Sequence, residues 1–141
     1  MGEKKVWGRR RHLLVDTLGN LLGVQVLPGD IQDREAARLL LAALARLLPR
    51  LRRLWADQNY TGSLGVWIQE QFGWTLEIVH KLPDQAGFVV LPKRWIVERT
   101  LAWFGRNRRL SKDYEFWPQT TESWIYLASI HLMLKRLTAP A

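Results

Sequence analysis

The 141-residue sequence predicts an α/β domain, and three observations carry that prediction. Apolar residues recur first with the two-residue period of strands and then, segment by segment, with the wider period of helices. Gly, Pro, Asn and Asp fall between those segments rather than inside them. The composition, 48% hydrophobic and 24% charged, suits one domain with a single core, spanning residues 1–141, rather than a disordered chain.

Residues 11–27 read as two strands joined by a turn. His12, Leu13, Leu14 and Val15 are apolar and partly β-branched, Leu22, Val24 and Val26 alternate, and Asp16 to Asn20 supplies turn formers. Pro28-Gly29-Asp30 ends the second strand, and Asp33 is placed to cap a helix over residues 34–48. Leu40, Leu44, Leu47 and Leu48 form that helix's stripe, relieved by Arg34, Arg38 and Arg46, and Pro49 stops it. Residues 51–56 read as a short buried strand delivering Asp57 at its carboxyl end. A helix over 63–72 follows, closed by Gly73. Residues 75–82 alternate as a further strand, and 83–92 form a connection with the apolar patch Phe88 to Leu91. A basic helix is expected over 94–107, and a last helix over 120–137 behind Pro118. Trp124, Leu127, Ala128 and Leu132 form the apolar face of that last helix, widened by Ile130 and Leu134. The order β-β-α-β-α-β-α-α implies a mixed sheet flanked by helices, with a site at the carboxyl edge of its strands.

A net charge of +8 and a pI near 10.4 point to a polyanionic partner. No stretch has the ~20 apolar residues a membrane span needs, and residues 1–7 lack a signal peptide's apolar core. With no cysteine, disulfides and Cys-ligated zinc are excluded, which fits a reducing cytoplasm. Eight Trp is a heavy load, and some of these rings are expected to line a surface that meets another molecule.

The densest signal is residues 93–112. Lys93, Arg94, Arg99, Arg106, Arg108, Arg109 and Lys112 surround a single acid, Glu98. A lone carboxylate among cations makes sense where a metal ion and a polyphosphate meet one surface. The plainer reading of Glu98 is an ion pair with Arg94 one turn away. Asp57 either ligates a metal or caps the next turn. Asp16 and Asp30 read as turn residues. The basic run Arg9, Arg10 and Arg11 reads as phosphate contacts or a solvated strand opening. His12, His80 and His131 lack ligand spacing, and no Gly-rich phosphate loop or Gly-x-Ser-x-Gly turn is present. Tyr60, Trp95 and Trp103 are candidates for stacking on bases or for packing in the core.

Four blocks then combine. Gly8-Arg9-Arg10-Arg11-His12-Leu13-Leu14-Val15-Asp16-Thr17-Leu18-Gly19 resembles the "G-R-K-R-H-x-x-V-D-T-x-G" stretch of bacterial insertion-sequence DDE transposases of the family-five type. Gln32-Asp33-Arg34-Glu35-Ala36 is similar to their "Q-D-R-x-x-A", and Ala56-Asp57-Gln58-Asn59-Tyr60-Thr61-Gly62 to their "A-D-x-x-Y-x-G". Residues 94–115 resemble their carboxyl-terminal signature. The blocks keep the family order and cover nearly the whole chain.

The resemblance implies an RNase H-like mixed sheet flanked by helices, and DNA transposition by metal-dependent cleavage and strand transfer. Asp57 and Glu98 match the family's second and third acids, which would hold Mg²⁺ or Mn²⁺. Arg9, Arg10, Arg11, Arg94, Arg99, Arg106, Arg108, Arg109 and Lys112 would meet DNA, both element ends and target. The family's first acid lies upstream of the "G-R-K-R-H" block in a "D-S-x-x-V" strand. No residue here matches it, and Asp16 falls in the hairpin turn instead. The sequence therefore reads as the carboxyl-terminal catalytic portion, lacking its first strand and an amino-terminal DNA-end domain. Its strand edges are expected to be unpaired and its activity alone to be nearly nil. Leu91 and Gly105 stand where related families carry Tyr and Lys, leaving Arg106, Arg108 or Arg109 for the cationic role. The implied setting is the bacterial cytoplasm at the nucleoid. The implied partners, besides DNA, are a second copy or an upstream-frame product. The alternative is a non-catalytic basic DNA-binding module or a regulator of transposition.

Overall fold

Strands β1 (Arg9–Val15) and β2 (Leu21–Pro28) form an antiparallel hairpin in the computed structural model, which describes residues 8–80, 94–110 and 115–140. The side chains of Arg94, Trp95, Glu98 and Arg109 are outside the described residues. So are the expected patch Phe88 to Leu91, the end of the strand expected over 75–82, and Lys112.

The expected α/β character holds, but the described strands make two two-stranded sheets rather than one mixed sheet. The chain forms two compact units, one of Met1–Ile31 with Ile96–Ala141 and one of Gln32–Trp95. Among the described residues no helix is long and apolar enough to cross a membrane.

In the first unit the hairpin carries α3 (Arg94–Gly105, counted here from Ile96) and α4 (Pro118–Thr138). Its core is Leu21, Val24 and Val26 of β2 with Phe104, Leu110 and Ile125, and Leu13, Val15 and Ala128 pack against it. The alternation predicted Leu22 as a core position, yet Leu21 takes it. A bulge between Leu14 and Val15 pairs Val15 with Leu21, and a one-residue slip turns the side chains to the other face. The outer edge of β2 is not left open. The Val24 N–H donates to the Tyr126 hydroxyl at 3.2 Å and the Val26 N–H to the Glu122 carboxylate at 2.9 Å, so α4 satisfies this edge with side chains.

That docking decides which face of α4 is buried, and of the predicted face Ala128 packs against the core and Leu132 is half-buried. Thr121, Ile125 and Ser129, spaced four apart, are buried, while Trp124, Leu127, Ile130 and Leu134 are exposed. The bulkier stripe is turned away. Pro118 lies in the helix's first turn, where its missing N–H costs nothing.

The second unit is a strand–helix–strand element behind α1 (Asp33–Leu44). Gln32, not Asp33, is the N-cap of α1, which ends in a 3-10 turn at Ala45–Leu47. Its buried stripe is Ala36, Leu40, Leu41 and Leu44, and Leu47, expected inside, is exposed. Strands β3 (Arg53–Ala56) and β4 (Thr75–Ile78) are parallel and in register from Arg53 with Thr75 to Ala56 with Ile78. Only Leu54 of β3 is buried, so this strand is half-buried rather than buried as predicted. Between them α2 (Leu64–Phe72) buries Leu64 and Ile68 and stops at Gly73, which takes the left-handed conformation predicted for it. Phe72 stacks on buried Trp74 at 4.4 Å between ring centroids.

Candidate functional site

Asp57 leaves the carboxyl end of β3, as the sequence predicted, at the edge where β4 also ends. The Val79 N–H donates to the Ala56 carbonyl at 2.8 Å, so the parallel pairing holds the residue just before Asp57. Asp57 then caps a 3-10 turn at Gln58–Tyr60. One carboxylate oxygen, Oδ1, accepts the Asn59 N–H at 2.9 Å and the Asp57 carbonyl accepts the Tyr60 N–H at 3.1 Å. The capping and metal-binding roles are thus not exclusive. The carboxylate is half-exposed, and its second oxygen, Oδ2, takes no hydrogen bond among the described residues. A carboxylate anchored by one oxygen and open at the other suits a hard divalent cation.

Two hydrogen-bonded arginines fix the helix that precedes this turn. Arg34 donates to the Thr61 carbonyl at 3.2 Å and Arg38 to the Ser63 hydroxyl at 3.0 Å. Gly62 sits at φ +101°, and a Cβ there would lie 2.7 Å from the Arg34 guanidinium. The glycine that ends the Asp57 block is therefore required by backbone conformation, while the arginine end can shift.

Glu98 falls within α3, in the other unit from Asp57, and its side chain is outside the described residues. What is described is how α3 is held. Thr100 is fully buried, its hydroxyl 2.9 Å from the Gly19 carbonyl and 3.0 Å from the Ile96 carbonyl. Arg99 donates to the Leu18 carbonyl at 3.0 Å. The guanidinium carbons of Arg99 and Arg136 lie 4.6 and 4.5 Å from the Trp103 ring centroid, and Arg136 also bonds the Asn20 side chain. Trp103, a candidate for stacking on bases, is thus taken up by two arginines. Gly19 is at φ +83°, with Thr100, Arg99 and Trp103 all within 3.3 Å of where a Cβ would be. The residues flanking Glu98 in sequence therefore grip the hairpin turn.

That turn gives Asp16 its role. Its carboxylate accepts the Leu18 N–H at 2.9 Å, the Asn20 N–H at 2.8 Å and the Asn20 amide at 3.2 Å, a turn residue as the sequence indicated. Asp30 lies in the turn after β2, and His12 is buried in β1.

The basic residues divide. Arg9 donates to the Glu115 carbonyl at 2.8 Å and to the Phe116 carbonyl, and Arg11 to the Leu110 carbonyl at 2.8 Å. These two staple the segment before α4 to β1. Arg10, Arg106 and Arg108 are exposed. Phe116 and Trp117 were not singled out by the sequence reading, although they stand side by side, 80% and 64% exposed. Two neighbouring aromatics in a polar segment, immediately before a helix-starting Pro, were the available signal.

Among the described residues no group of three His, Asp or Glu side chains could hold a metal ion. The sequence matches the family described as Transposase DDE domain over residues 2–133. The chain belongs to that family. No curated protein and no solved structure matches it.

Proposed function

We propose that this chain belongs to a bacterial insertion-sequence transposase of the family-five type and carries the second and third acids of the DDE set, Asp57 and Glu98. Family membership supports transposition, the movement of a DNA element by phosphodiester chemistry. The observation that carries the assignment of Asp57 is its place at the carboxyl end of β3, capped through one oxygen and open at the other. The order of a hairpin followed by strand, helix and parallel strand supports an RNase H-like domain over residues 1–141.

In this reading Asp57 and Glu98 hold a divalent cation, Mg²⁺ or Mn²⁺, through carboxylate oxygens alone, the donor type that hard ions prefer. When bound, such an ion supplies Lewis-acid polarisation of a phosphate oxygen and acidifies water. The turn behind Asp57 keeps its carboxylate oriented. The hold of Arg99 and Thr100 on the hairpin turn keeps α3, and Glu98 with it, in one register. Arg9, Arg10, Arg11, Arg94, Arg99, Arg106, Arg108, Arg109 and Lys112 attract DNA and make its binding steeply salt-dependent. A divalent cation held by two carboxylates alone is bound weakly.

Isothermal titration with Mn²⁺ tests this, using Asp57→Asn and Glu98→Gln. Asn keeps an oxygen for the Asn59 N–H, so the turn survives while the charge is lost. Weak Mn²⁺ binding by the native chain, at least tenfold weaker in either variant, with DNA affinity retained, is the expected outcome. Binding of Mn²⁺ that is indifferent to both substitutions overturns the assignment.

A further inference from the structure

The geometry points to Phe116 and Trp117 as a stacking platform for unpaired bases of a single DNA strand, set beside the basic strand β1. The inference rests on the reading of the chain as DNA-acting and adds a substrate feature to it. The two rings meet edge to face, 5.0 Å between centroids, and they stand 80% and 64% exposed. Large aromatic rings stay in water at a cost unless something covers them, and Phe and Trp faces are the usual supports for bases. What covers them is indicated by charge. Arg9 donates to the carbonyls of Glu115 and Phe116, so a guanidinium lies directly at the backbone of the pair. Arg11, on the same face of β1 as Arg9, reaches the Leu110 carbonyl on the same segment. Glu115, the acid next to the pair in sequence, is half-buried, whereas both rings are outside.

A base-paired duplex hides its ring faces in its own stack, and exposed aromatics gain nothing from it. A frayed or unpaired strand offers ring faces and phosphates together. The pair fits that form: rings for bases, beside the positive charge that β1 brings to the same segment. The position is also fixed, since Pro118 starts α4 directly after Trp117 and the Arg9 bonds hold the residues before it. A rigid platform loses little entropy on stacking.

The test is fluorescence anisotropy with labelled dT15 and with a blunt 15-base-pair duplex, on the full chain. Phe116→Ala combined with Trp117→Ala is expected to weaken dT15 binding at least tenfold, since both stacking faces are lost, and to change duplex binding less than twofold. Phe116→Tyr with Trp117→Phe keeps both ring faces and is expected to restore dT15 affinity to within about threefold. Unchanged dT15 binding by the alanine variant overturns the inference, and so does an equal loss on both DNAs. Conversion of an oligomer to a monomer with dT15 binding intact would assign the pair to contact with a second copy. Mn²⁺ binding is expected to be the same in all these variants, so this inference and the Asp57–Glu98 assignment fail separately.

Discussion

The strand–helix–strand unit is closed by near neighbours in sequence, whereas the hairpin unit is closed by residues far apart along the chain. In the first case the stitches are Asp57 to Asn59, Arg38 to Ser63 and Arg34 to Thr61, between 2 and 27 residues apart. In the second they run from Thr100 to Gly19 and from Arg9 to Phe116, 81 and 107 residues apart. Closing long loops costs more entropy and must wait for distant chain to arrive. The carboxylate of Asp57 is thus placed by local structure, and α3, which carries Glu98, is placed by tertiary structure.

The largest test of that contrast is a pair of cavities. Ile125→Ala and Ile68→Ala each empty a fully buried position and are expected to cost about 3–4 kcal/mol. In native-state hydrogen exchange, Ile125→Ala should loosen the amides of β1, β2, α3 and α4, leaving β3 and β4 protected. Loss of protection throughout the chain would mean one cooperative unit and would break the comparison.

Next come the two motif glycines. Both sit at positive φ, so alanine strains either backbone by about 1–2 kcal/mol. At Gly62 the obstructing atom is the end of a flexible arginine, while at Gly19 it is buried Thr100 and the Trp103 ring. Gly19→Ala is therefore expected to cost about 1 kcal/mol more than Gly62→Ala in urea unfolding. Equal losses would show that the hairpin turn is not gripped by α3 as described.

The smallest effects separate a shared from an isolated cation. Arg136→Ala removes a guanidinium from the Trp103 ring and a bond to Asn20, expected to cost about 1 kcal/mol. Glu77→Gln breaks only the exposed pair with Arg53 at 3.7 Å, and a change under about 0.5 kcal/mol is expected. A reversal of that order would place the hairpin unit's cohesion elsewhere.

How much was legible follows the same division. The hairpin and its Asp16 turn, the stop of α2 at Gly73 and the strand that delivers Asp57 each rest on a local cue, and each is where the residues indicated. The α1 cap shifted by one residue because Gln32, with extended backbone, occupies the position assigned to Asp33. At β2 Val24 and Val26 are buried where the alternation put them, and Leu21 replaces Leu22 because a bulge has no period of its own. The buried face of α4 was misread for a different reason. The bulkiest apolar stripe and the stripe that fits the hairpin are distinct there, and the fit favoured Thr121, Ile125 and Ser129.

The order of elements, the basic character and the carboxylate at the end of β3 were determined by the sequence alone, because each depends on residues adjacent or one turn apart. Which side of α4 meets β2, which arginines hold carbonyls and which aromatics stay outside were decided only by the tertiary structure. Those outcomes depend on packing between segments a hundred residues apart, and no local pattern encodes the shape of a distant partner.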